Sequence, residues 1–116
     1  MRRVLVLIVA VLTVVSGCSS TAAAPAPTPS PLTIAISLTA TTASPSGDRF
    51  SVVAGSAVTI TVTSDHDDEV HVHGYDIEIA VTSAAPVTKT FTADKVGRYE
   101  IESHEPVRTI GTLDVR

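Results

Sequence analysis

Three of the chain's four histidines fall in one twelve-residue stretch, Asp65-His66-Asp67-Asp68-Glu69-Val70-His71-Val72-His73-Gly74-Tyr75-Asp76, beside five carboxylates. Imidazole and carboxylate together suit Cu(II), with Zn(II) as the main competitor, and suit Cu(I) less well when no sulfur joins them. In a strand, residues two apart point to one face and lie ~6.5–7 Å apart. His71 and His73 would therefore aim two imidazoles at one ion. His66 stands in a loop among acids and reads first as a solvated residue, which makes it a secondary candidate. Asp65, Asp67, Asp68 and Glu69 lack the Asp-x-Asp-x-Asp-Gly order of a calcium loop, so they read as a solvated turn. No serine sits in a nucleophile elbow, and Ser103 and His104 are neighbours that point apart on a strand. No glycine loop to cradle phosphate and no zinc-protease helix is present. The expectation is a binding protein and not an enzyme.

The parity of this segment allows two orientations. An unbroken strand would put His71, His73 and Tyr75 on one face with Ile77, Ile79 and Val81, hence towards the core. A bulge at Gly74 would give that face to Val70 and Val72 and turn the histidines to solvent. Without a bound ion the same His-x-His is a solvated or hydrogen-bonded surface pair.

The single cysteine, Cys18, has a different meaning. Arg2 and Arg3 precede an apolar run from Val4 to Val15, shorter than the ~20 residues of a membrane-spanning helix, and Ser16-Gly17-Cys18 follows. That order resembles a bacterial lipobox. It implies a signal peptide over residues 1–17, acylation at Cys18, and a mature protein lipid-anchored on the extracytoplasmic face of the cell membrane. Each buried CH₂ of an acyl chain contributes ~0.8 kcal/mol to that anchoring. Residues 18–31 carry the acylated cysteine and an Ala/Pro/Ser/Thr tract with four of the seven prolines, a semi-extended tether. Eight basic side chains stand against twelve acidic ones, and losing Arg2 and Arg3 takes the net charge from −4 to −6. That balance argues against nucleic acid as a partner and favours a face tolerant of cations.

Positioning falls to residues 32–116. Apolar side chains alternate with Thr, Ala and Ser in Leu32–Leu38 and again in Val58–Val62. Further strands are expected at Glu69–His73, Ile77–Val81, Val87–Thr92, Arg98–Ser103 and Thr109–Val115. Turn residues separate them, as in Ser44-Pro45-Ser46-Gly47-Asp48 and Asp94-Lys95-Val96-Gly97. No window after the apolar run has helical spacing with caps. Seven short strands at this spacing predict an all-β fold, an antiparallel Greek-key β-sandwich, with a barrel as the alternative.

Three elements in order resemble the cupredoxin-like family: Gly55–Asp65, Phe91–His104 with its Gly97-x-Tyr99 strand, and Gly111-Thr112-Leu113-Asp114-Val115. The family places a cysteine ligand where Ser103 stands, since Tyr99, Ile101 and Ser103 share parity. Its methionine position falls on Thr109 or Ile110. A blue-copper centre needs thiolate, two imidazoles and usually a weak axial sulfur, so one-electron transfer of that kind is not expected. The resemblance implies instead that His104 opens the ligand loop and joins His71 and His73. His71-x-His73-Gly74 also resembles a tetrapeptide of multicopper oxidases. The expected role is capture or delivery of a copper-type ion. The competing expectation is a metal-free module whose Val70–Asp76 edge contacts an envelope protein.

Overall fold

The period-two pattern resolves into nine strands in a computed structural model that describes residues 22–116. The expected signal segment, Cys18 and the first residues of the tether lie outside the described residues. The strands are β1 Leu32–Leu38, β2 Ala43–Ser44, β3 Asp48–Val52, β4 Ser56–Ser64, β5 Asp68–Val72, β6 Ile77–Val81, β7 Val87–Ala93, β8 Gly97–His104 and β9 Val107–Val115. They form two sheets, one ordered β2-β1-β4-β7 and one ordered β3-β9-β8-β5-β6.

Alternation decides what each sheet buries. Ile34, Ile36 and Leu38 of β1 and Val58, Ile60 and Val62 of β4 point inward. From the other sheet come Val70, Val72, Ile79, Val81, Ile101, Ile110, Leu113 and Val115. Burying each such side chain contributes about 1.5–3 kcal/mol, so a core without tryptophan still closes the sandwich. Outward threonines of the four-stranded sheet pair across strands, Thr59 with Thr90 at 3.0 Å and Thr61 with Thr88 at 2.9 Å.

The fold is the expected all-β sandwich of two sheets. Pairing is antiparallel except at β1–β4 and β3–β9, which run parallel. Between β1 and β4 the chain passes through β3 in the opposite sheet, and that crossing lets β4 return in the same direction as β1. β8 and β9 carry one irregularity. Ile101 faces Gly111 and Glu102 faces Thr109, leaving Ile110 as the extra residue of a bulge and turning it into the core.

The orientation of the histidine segment is settled by β5 and β6. Val72 pairs with Ile77, and residues 73–76 form the turn between them. Gly74 and Asp76 take left-handed backbone there, with φ of 77° and 53°. The strand is therefore not continuous through Tyr75, and what interrupts it is a hairpin turn rather than a bulge. Val70 and Val72 are fully buried, so His71 faces outward. The core-side orientation at the open end of the sandwich is not the one adopted.

Candidate metal centre

Two adjacent strands of the five-stranded sheet build the outer face that carries the histidines. On β5 the outward row is Glu69 and His71, continued by His73 at the start of the turn. On β8 it is Glu100, Glu102 and His104, because Ile101 and Ser103 are buried. Register places His71 opposite Glu102 on one side and Glu78 of β6 on the other. The His73 N–H donates to the Glu100 carbonyl at 2.9 Å, which extends the β5–β8 pairing one residue into the turn.

His71, His73 and Glu102 each offer a ligand atom, and these atoms all lie within 4.8 Å of one another. The His71 and His73 rings are 4.5 Å apart with planes tilted by 35°. Glu102 Oε1 accepts from His73 Nε2 at 2.7 Å and lies 3.3 Å from His104 Nε2. The hydrogen bond from His73 is the main cause holding the Glu102 carboxyl below its ordinary range, opposed by partial burial. The site is open to solvent from one side and walled by sheet on the other.

His104 lies beside this group with its ring 5.7 Å from His71 and nearly perpendicular to it. Its Nδ1 is 3.2 Å from Glu69 Oε1. His66 is elsewhere. Its Nδ1 meets Asp65 at 2.6 Å, its Nε2 meets the Glu105 carbonyl at 2.6 Å, and Asp68 Oδ2 lies 3.3 Å away. These acceptors, the Asp65 carboxylate first, raise the His66 pKa above its ordinary value. His66 thus ties the β4–β5 turn to the β8–β9 turn and does not join the other three imidazoles. The neighbouring acids do not converge on an ion either. Asp68 is turned inward, where its Oδ1 accepts from the N–H groups of Glu69, His104 and Glu105 at 2.7, 3.1 and 2.8 Å.

Tyr75 anchors the hairpin rather than the site. Its hydroxyl donates to the Lys95 carbonyl at 3.1 Å and accepts the Lys95 N–H at 3.0 Å, and its ring packs on Phe91 and Tyr99. Burial pushes its phenol pKa up.

Glu102 is the residue that sequence reasoning missed. The signal was there, since Glu102 has the same strand parity as His104 and precedes it by two.

The donor set fits a borderline divalent ion: two imidazoles and a carboxylate suit Cu(II) or Zn(II). It does not fit a blue-copper centre. Ser103 occupies the inward position and gives its hydroxyl to the Pro106 carbonyl at 3.2 Å, and the described residues contain no thiol.

No family model matches the chain, and no curated protein matches its sequence. Solved structures do match its shape. The metal-binding domain of the Cu(I)-exporting P-type ATPase CopA of Streptococcus pneumoniae D39 aligns with a TM-score of 0.58 at 18% identity, over 74% of this chain and 86% of that one. Auracyanin from Roseiflexus castenholzii aligns with a TM-score of 0.53 at 17% identity, over 72% and 96%. A chain of a heme-copper terminal oxidase dimer aligns with a TM-score of 0.58 at 18% identity, over 73% of this chain and 65% of its own length. The fold is cupredoxin-like. This chain spans less than two thirds of the terminal-oxidase chain.

Proposed function

We propose that this chain is a lipid-anchored, extracytoplasmic metal-binding protein that captures or delivers a copper-type ion, held by His71, His73 and Glu102 with His104 beside them. The observation that carries this reading is the convergence of three donors within 4.8 Å on one sheet face. The copper-related structures that share the fold support it, and the lipobox-like ending at Cys18 supports the anchor. An ion on an outer face, bound by nitrogen and oxygen with open coordination positions, is accessible to exchange. That arrangement suits transfer between proteins better than buried electron transfer or catalysis.

Titration of the full-length chain with Cu(II) and Zn(II) by calorimetry, beside a His71→Ala/His73→Ala variant, tests the reading. Submicromolar binding that the variant loses while its circular dichroism is unchanged supports it. Equal binding by both proteins overturns it.

A second reading has its own observation: Glu102 already accepts from His73 and lies 3.3 Å from His104 Nε2, so these three side chains have partners without an ion. It would then dock an envelope protein without metal. Capture of that partner in chelator, undiminished, favours this reading over the first.

A further inference from the structure

The three outward imidazoles differ in their hydrogen-bond partners. Among the described residues His71 makes no side-chain hydrogen bond, and His73 makes one, from Nε2 to Glu102. His104 stands outside the group of three whose donor atoms lie within 4.8 Å of one another, and its Nε2 is hydrogen-bonded to Glu102 Oε1 at 3.3 Å. A carboxylate oxygen can only accept, so this bond is donated by the ring and ties it to Glu102. His104 is also held from behind. The buried Asp68 carboxylate accepts its main-chain N–H at 3.1 Å and that of Glu105 at 2.8 Å, and His66 fixes the Glu105 carbonyl. The backbone of His104 is thus fixed by Asp68 and its ring is tied to Glu102 before any ion arrives.

We infer that His104 is a positioning residue and not a ligand: through its bond to Oε1 it holds the Glu102 carboxylate beside His71 and His73, and Asp68 sets where His104 stands. This inference rests on the metal reading above and assigns His104 a different part from the one its sequence position implies. The chain Asp68–His104–Glu102 is the pattern of an outer-shell donor orienting a carboxylate ligand, a device whose loss typically weakens metal binding about 10- to 100-fold. Glu69 Oε1 lies 3.2 Å from the other ring nitrogen of His104.

The test compares Cu(II) affinity and the number of coordinated imidazole nitrogens, counted by pulsed EPR, in the full chain and in His104→Ala, His104→Gln and Asp68→Ala. His104→Ala should bind about 10- to 100-fold more weakly with an unchanged nitrogen count. His104→Gln, whose amide N–H can still donate to Glu102, should recover most of that loss. Asp68→Ala should weaken binding in the same direction and add little in a double variant with His104→Ala. The two His104 variants keep the test open should Asp68→Ala fail to fold. A nitrogen count that drops by one in His104→Ala would show His104 to be a ligand, and an unchanged affinity would leave it without a role; either overturns the inference. Absence of binding in the unaltered chain is a separate result, and it overturns the metal reading itself.

Discussion

Gly74 joins His73 to Tyr75 in the turn that borders the histidine face, and replacing it should destabilise the fold. Two effects separate cleanly because Gly47 serves as a control. Both glycines have a φ of 77°, but a Cβ on Gly74 would run into Cδ1 and Cε1 of the Tyr99 ring, whereas a Cβ on Gly47 meets nothing within 4 Å. Left-handed backbone costs a non-glycine residue about 1–2 kcal/mol. Forcing an extra carbon into a packed site typically costs about 1–3 kcal/mol more. Gly47→Ala should therefore lose about 1–2 kcal/mol and Gly74→Ala about 2–5 kcal/mol. For a domain of this size each kcal/mol moves Tm by about 4–8 °C, so the two variants should differ by at least several degrees in a thermal scan followed by circular dichroism. The Tyr99 ring also packs on Tyr75, so its displacement should loosen the hairpin and weaken metal binding in Gly74→Ala alone. Equal Tm shifts for the two variants would refute the packing argument.

Two further outcomes follow from the same geometry. The His66 pKa is raised by the Asp65 carboxylate and the Glu105 carbonyl, so the protonated ring stabilises the fold below its unfolded value of 6.5, and that contribution is lost as pH rises through the higher folded value. Chemical denaturation between about pH 6 and 9 should show this decline, and His66→Gln should flatten it. Ile101 is fully buried and lies across from Val72, directly behind the site. Ile101→Ala should cost about 2–5 kcal/mol in urea denaturation, whereas His71→Ala, on the exposed side of the same sheet, should change stability by less than about 1 kcal/mol.

How far the sequence could be read depended on how many alternating side chains each element carries. Leu32–Leu38 and Ile77–Val81 have apolar residues at every second position, and both strands appear with those bounds. Asp48–Val52 offers only Phe50 and Val52 to the interior, and it is a strand because it pairs with β9, a partner more than fifty residues away. No local pattern announces such a strand, nor the parallel pairing of β1 with β4. Val70-His71-Val72-His73 was ambiguous because either parity gives a plausible face. The valines decided it: burying two hydrocarbon side chains is favourable, and two imidazoles would have needed partners in the core. Parity put Glu102 on the face of His104, but register is what sets it across from His71. His66 was read as a loop residue among acids, and the acids proved to be what pins it.

The central claim is that one divalent ion sits on the outer face of the five-stranded sheet, between His71, His73 and Glu102. Anomalous diffraction at the copper edge from crystals grown with Cu(II) tests it most directly. The account predicts one strong peak within bonding distance of those three side chains. A peak between the sheets near Ser103, or none at the His71–His73–Glu102 cluster, would contradict it.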